Sequence, residues 1–252
     1  MLDLAKEDIE KDLQEKIETF LKYLNESDNI VFFGGAGVST ESGIPDFRSP
    51  DGLYNQKYKF PPETIISHSF FRARTEEFYE FYKDRMIYKD AKPSITHEKL
   101  AALEKAGKLR GIVTQNIDGL HQMAGSKEVV ELHGSVLRNY CTKCAKFYDL
   151  DYIVKSEGLP RCSCGGLIKP DVVLYEESLN SDDISKAIKL ISEADVLIVG
   201  GTSLGVYPAA GMIDYYRGNK LVLINKSKTP YDSSANLLIH AALGKVFERV
   251  EV

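Results

Sequence analysis

Apolar positions follow two spacings along this chain. Ile9, Leu13, Ile17, Leu21 and Leu24 recur three or four residues apart, which predicts an amphipathic helix over residues 5–25. Short, mostly apolar runs follow at 30–33, 109–113, 129–132, 196–199 and 221–224. Runs this short, bounded by glycine or polar residues, predict strands covered on both faces. Helical spacing returns near 75–88, over 96–106, near 181–193 and after Pro208. Leu100 and Leu103 face inward in the second of these, and Gly107 ends it. Apolar strands separated by helices predict an α/β fold with a parallel, doubly wound sheet. Repeats and low-complexity segments are not evident.

Ligands in such folds bind at the carboxyl ends of the strands. The first strand runs into Gly34-Gly35-Ala36-Gly37-Val38-Ser39-Thr40, where small residues allow close approach and backbone N–H groups can hold a pyrophosphate. An ordinary dinucleotide site continues into a long helix. Here Gly43 and Pro45 interrupt within about two turns, and Asp46, Phe47 and Arg48 follow. The segment therefore reads as a nucleotide cradle joined to a reactive loop. The second strand feeds Thr114-Gln115-Asn116-Ile117-Asp118-Gly119-Leu120-His121. Asn116 and Asp118 there suit a carboxamide ring or ribose hydroxyls, and equally suit an Asx turn. His133 ends the third strand, where an imidazole serves either as a general base near neutral pH or as a hydrogen-bonded structural group.

Cys141 and Cys144 have two residues between them, Cys162 and Cys164 have one, and no other cysteine occurs. Two close pairs across a short loop suit a zinc ribbon or knuckle, and four thiolates leave no open coordination position, so the metal is expected to be structural. Gly165-Gly166 can supply the tight turn that the one-residue gap needs. The chain has 252 residues, 43% of them apolar, enough for a large domain with a small insert. A net charge of −5 and a pI of about 5.6 give no support for nucleic-acid or anionic-membrane binding, but are compatible with basic peptides. The N-terminus lacks a signal-type apolar core and no 18-residue apolar run occurs. A cytoplasmic monomer is the expectation.

The order GAGVSTESGIPDFR, TQNIDGLH, HG before a four-cysteine module, GTSL and LIN resembles the sirtuin family of NAD-dependent protein deacylases, over about residues 28–248. The resemblance implies a Rossmann-like domain (1–48, 90–136 and 171–252), a helical and loop insert (49–89) and a zinc module (137–170), with the active site between large and small parts. It implies Ala36 and Thr40 at the NAD phosphates, Phe47 over the nicotinamide pocket and Arg48 near phosphates and ribose. Gln115 would bind the nicotinamide ribose, Ile117 and Asp118 the carboxamide, and Asn116 would line the same pocket. Thr202 and Ser203 would bind phosphate and ribose, Asn225 the adenosine ribose, and backbone near Ala242 the adenine. Catalysis would rest on His133, Asn116 and Asp118. The acyl-lysine oxygen would attack the anomeric carbon, nicotinamide would leave, and His133 would then take a proton from a ribose hydroxyl. Free lysine, nicotinamide and O-acetyl-ADP-ribose would result.

The acyl-peptide would add as a strand between Val173, Leu174 and Tyr175 on one side and Gly205 and Val206 on the other. The family often has Phe-Gly-Glu where this chain has Tyr175-Glu176-Glu177, and the extra carboxylate would suit basic peptides. Tyr82 and Arg85, three apart on a predicted helix, are similar to the pair in members that remove succinyl or malonyl groups, so that an acidic acyl preference stands beside deacetylation. Other readings are mono-ADP-ribosyl transfer and an NAD-sensing module without turnover. A dehydrogenase lacks the long helix after its glycine turn.

Overall fold

The computed structural model describes residues 2–47, 49 and 52–252. Helix α1 (Leu2–Asn25) leads into strand β1 (Ile30–Gly34). Helices α2 (Pro62–Ile65), α3 (His68–Ala73) and α4 (Thr75–Arg85) form the first insert. The chain then returns through α5 (Ile95–Lys105), β2 (Leu109–Thr114), α6 (Leu120–Ala124) and β3 (Val129–Glu131). The second insert holds β4 (Gly134–Cys141), β5 (Phe147–Asp149), α7 (Leu150–Lys155) and β6 (Ile168–Val172). Last come α8 (Ser181–Glu193), β7 (Val196–Gly200), β8 (Leu221–Ile224), β9 (Leu237–Ile239) and α9 (Leu243–Phe247).

Six strands pair in the order β3-β2-β1-β7-β8-β9, all parallel. The order reverses between β1 and β7, which opens a crevice at their carboxyl ends. β1, β7 and β8 are buried at every residue because both faces are covered. On one face Ile17, Phe20 and Leu24 of α1 pack with Leu100, Leu103 and Phe247. On the other, Ala187 and Ile191 of α8 pack with Ala209 and Met212. Ile9, expected on the inward face of α1, is 69% exposed, while Phe20 is fully buried. The helix expected after Pro208 is a 3₁₀ segment, Ala209–Tyr215, with Gly211 lowering α-propensity at its middle.

Three antiparallel strands, β5-β4-β6, form a second sheet. Its apolar side does not close on itself. Phe70, Phe71, Phe78, Tyr79 and Tyr82 from the first insert share one core with Val136, Ile153, Ile168, Val172 and Leu174 from the second. Most of these aromatic rings meet edge-on, as at Phe71 and Phe78, 5.0 Å apart, while Tyr82 stacks on Phe78, and such geometry adds to the area they bury. Two inserts distant in sequence thus make one body beside the crevice. Among the described residues no helix is long and apolar enough to cross a membrane.

Behind the crevice, α5 and α6 bury two histidines against each other, His97 and His121, with ring centroids 4.6 Å apart. His97 Nδ1 accepts from the Ser94 amide at 3.1 Å and lies 2.8 Å from the Ser94 hydroxyl. Burial holds His97 down to about 4 from an ordinary 6.5, and burial together with the neighbouring ring holds His121 well below that value. As pH falls through that window the unfolded chain takes up protons that the folded chain refuses, so stability is lost. His97 alone accounts for about 3 kcal/mol across it. Urea unfolding between about pH 7 and pH 5 should show the decline, and His97→Gln should flatten it.

Candidate active site

The crevice is a cleft of about 1010 Å³. Its floor is the contact between the turns after β1 and β7. A Cβ on Gly35 would meet Thr202 Cβ at 2.8 Å, and one on Gly37 would meet Gly201 Cα at 2.7 Å. The Gly37 N–H donates to Gly201 O at 2.7 Å and the Gly35 N–H to Gly200 O at 3.3 Å. These two amides are therefore spent on the neighbouring turn, not on a ligand, which narrows the expectation that the whole turn offers its N–H groups. Two 3₁₀ turns, Ala36–Val38 and Thr40–Ser42, replace a long helix, and Gly43 ends them at φ +82°. Ala36, Thr40 and Phe47 line the cleft. Arg48 lies outside the described residues.

Beyond β2, one hydroxyl organises the polar wall. Ser39, fully buried, donates to Asp118 Oδ2 at 2.7 Å and accepts from Asn116 Nδ2 at 3.0 Å. The other Asp118 oxygen accepts from the Leu120 N–H at 2.9 Å and closes an Asx turn. Asp118 thus closes the local Asx turn and also lines the cleft. Burial pushes its carboxyl above the ordinary value, opposed by the bonds from Leu120 and Ser39. Sequence reading missed Ser39 as a site residue, although it stands inside the glycine-rich motif. Nothing local indicates that it reaches residues 77 and 79 positions away.

His133 leaves β3 with its Nδ1 at 3.0 Å from Gln115 O. A carbonyl can only accept, so Nδ1 carries the proton and Nε2 keeps its lone pair. Burial lowers the imidazole below its ordinary value, with the Gln115 bond opposing, which keeps the ring neutral near pH 7. Gln115 Nε2 donates to Thr202 Oγ1 at 3.1 Å, joining the β2 and β7 ends. Asn116, Ile117, Asp118, His133, Thr202, Ser203 and Asn225 all line the cleft. Ala242 does not, among the described residues, though Ala241 and Leu243 beside it do. Gly205 likewise stands outside the lining, while Val206 is part of it.

Val173, Leu174 and Tyr175 edge the cleft as a strand-like segment. Val173 N–H donates to His133 O at 3.0 Å, and Tyr175 exchanges bonds with Ile66 O (3.0 Å) and His68 N–H (2.9 Å). Glu176 takes a left-handed backbone, at φ +74°, a conformation that favours glycine. Its carboxylate accepts from Ser69 N–H at 2.8 Å and Ser69 Oγ at 2.9 Å. The carboxylate expected to draw basic peptides is therefore committed to α3. Glu177 bonds His68 Nδ1 (2.8 Å), Lys169 Nζ (3.0 Å) and Leu174 N–H (2.9 Å), which lowers its carboxyl against the burial that would raise it.

The four cysteine sulfurs lie within 4.8 Å of one another. Cys141 to Cys164 is 3.4 Å, and Cys144 to Cys162 and to Cys164 is 3.5 Å. Thiolates around one zinc ion sit about 3.8 Å apart, so the set fits a closed tetrahedral structural site. Gly165 takes φ +80°, and a Cβ on Gly166 would meet Cys141 Sγ at 2.6 Å. The glycine pair therefore permits the one-residue gap, as its composition suggested.

A model of the Sir2 family matches residues 35–208. The chain belongs to the Sir2 family. It is 61% identical over 242 residues to a protein of Clostridium acetobutylicum named NAD-dependent protein deacetylase, covering 94% of this chain and 99% of that one. A Clostridium tetani protein of the same name is 60% identical, covering 95% and 96%. Among solved Sir2 structures, a complex with deacetylated p53 peptide and 3'-O-acetyl-ADP-ribose superposes with a TM-score of 0.85 at 42% identity, covering 93% of this chain and 96% of that one. A Sir2–p53 peptide–NAD+ complex gives 0.82 at 43% identity, covering 93% and 96%.

The Sir2 cleft also receives Tyr82 and Arg85 from α4. Tyr82 is almost fully buried and stacks on Phe78 at 5.6 Å. Arg85 Nε lies 2.6 Å from Asp84 Oδ2, and its guanidinium sits 5.8 Å from the Tyr58 ring centroid. The Asp84 carboxylate is 69% exposed, and Arg85 Nε, though close to it, has no hydrogen-bond partner among the described residues. For the zinc site, elemental analysis should find one zinc ion per chain. A strong chelator, or Cys164→Ser, should destabilise the zinc-bearing body by roughly several kcal/mol, seen as a lowered Tm.

Proposed function

We propose that this protein is an NAD-dependent protein-lysine deacetylase. The observation that carries the proposal is the convergence on one cleft of the Ser39–Asn116–Asp118 group, neutral His133 and the Val173–Tyr175 edge. The names of the clostridial relatives and the ligands in the solved Sir2 complexes support it.

NAD serves as co-substrate: its nicotinamide–ribose bond is broken, and the acetyl group leaves on the ribose. Ala36, Thr40, Thr202, Ser203 and Asn225 hold its phosphates and riboses. Asn116, Ile117 and Asp118 take the carboxamide, with Asp118 held in place by Ser39. Gln115 faces the reacting ribose. Phe47 covers the nicotinamide pocket and excludes water, which strengthens every polar contact inside. The acetyl-lysine peptide adds as a strand along Val173–Tyr175, with Val206 opposite. Once nicotinamide has left, Nε2 of His133 takes the proton of a ribose hydroxyl. The Gln115 carbonyl holds the tautomer that leaves this nitrogen free. Zinc has no place in the reaction because its coordination shell is closed.

Nicotinamide release should require acetyl-peptide; release at the same rate without peptide would point instead to plain NAD cleavage. His133→Ala should slow deacetylation by roughly 10²–10⁴-fold, and turnover at the full rate would remove His133 from the mechanism. The deacetylase names of the clostridial relatives and the acetyl-ADP-ribose in a solved Sir2 complex favour acetyl over acidic acyl groups. Arg85→Met should therefore leave the succinyl-to-acetyl ratio within about twofold, measured as kcat/KM on matched peptides.

A further inference from the structure

The chain passes from the six-stranded sheet to the three-stranded sheet in the two residues between Glu131, the last of β3, and Gly134, the first of β4. His133 is one of these two. The crossing has little main-chain support: Leu132 N–H donates to Thr114 O at 2.9 Å and Val173 N–H to His133 O at 3.0 Å. The turn is also tightly confined. Gly134 sits at φ +73°, and a Cβ there would lie 1.9 Å from Asp171 O. Beyond the paired Gly134 and Ser135 the β4–β6 ladder loses register as far as Asn139, so the regular pairing that follows the turn is only two residues long.

Arg138 stands in that gap. Its Nη1 donates to Glu131 Oε2 at 2.6 Å and its Nε donates to Asp171 Oδ2 at 2.7 Å. One guanidinium thus joins β3, which delivers His133, to β4, which leads away from it, and to β6, which continues into Val173. The Glu131 side chain is only 9% exposed, so this bond is shielded from water and is stronger than a surface ion pair. The planar fork is needed here, because a single point charge cannot face both carboxylates equally well.

We propose that Arg138 is a positioning residue for the His133 turn: through Glu131 and Asp171 it fixes the end of β3, and with it the imidazole, against β4 and β6. The proposal rests on the deacetylase reading of the cleft. Arg138 touches no reacting group. Its loss therefore slows the step that uses His133 and spares the earlier departure of nicotinamide.

The experiment compares two rates on the zinc-loaded, full-length protein. One is exchange of labelled nicotinamide into NAD with acetyl-peptide present, which reports the first step. The other is deacetylation turnover, which needs His133. In Arg138→Met, turnover should fall roughly tenfold or more while exchange stays within about twofold, so the exchange-to-turnover ratio rises. Arg138→Lys should give an intermediate ratio, and Glu131→Gln, which keeps a neutral hydrogen bond to the guanidinium, a smaller rise. Zinc content and Tm are read on each variant. Should Arg138→Met fail to fold, the two milder variants decide the matter by the same ratio. A ratio unchanged from the parent protein, or exchange and turnover falling together, overturns the positioning role. The parent protein and His133→Ala separate this from the deacetylase reading: no deacetylation by the parent sinks the reading itself, and full turnover in His133→Ala removes His133 from the mechanism and the positioning role with it.

Discussion

The contact between the turns after β1 and β7 is the constraint on which the site depends. Two backbones meet with no side chain between them, through Gly37 N–H on Gly201 O at 2.7 Å. Any Cβ at Gly35 or Gly37 would collide with Gly201 or Thr202. This closeness brings the ends of two strands from opposite halves of the sheet to one floor, and Gln115 reaches Thr202 across it. The glycines are thus required first by the protein's own packing, and the ligand uses the space that this packing defines.

Polar groups around the floor are placed by bonds between segments. Ser39 holds Asn116 and Asp118 together, and in a buried setting each unsatisfied oxygen or amide would cost about 1–3 kcal/mol. The same economy appears at Glu176, which accepts a left-handed backbone and in return closes two bonds to Ser69. Such a conformation costs on the order of 1–2 kcal/mol for a residue with a side chain. Two hydrogen bonds to a carboxylate offset it.

The second body is built on a different principle. Its three strands cannot bury enough apolar surface alone, so it borrows the aromatic helices of residues 62–85 and adds four thiolates for one zinc ion. The edge of this body, Val173–Tyr175, lies against His133 because β6 runs on from Asp171. The Val173–Tyr175 edge and His133 therefore depend on the same few strands.

Much of this was legible in the chain. Apolar runs such as 196–199 and 221–224, short and bounded by glycine or polar residues, read as strands covered on both sides, and four clustered cysteines have few other uses. Asn116, Asp118 and His133 stood out as polar groups at strand ends, where α/β folds bind ligands. The short strand at 237–239 and the 3₁₀ character of 209–215 were not legible, because local propensity there is weak and packing decides. Nor could sequence show that Ile9 lies beyond the core, that Glu176 spends its charge on Ser69, or that Ser39 bridges two residues almost eighty positions away. By itself the sequence determined the class of sheet, the metal ligands and the chemical types available at the strand ends, since these follow from local spacing and residue chemistry. Only the tertiary structure decided which groups meet, which amides are already spent and how His133 is held. Those are distances between segments, and they exist only once the chain has packed.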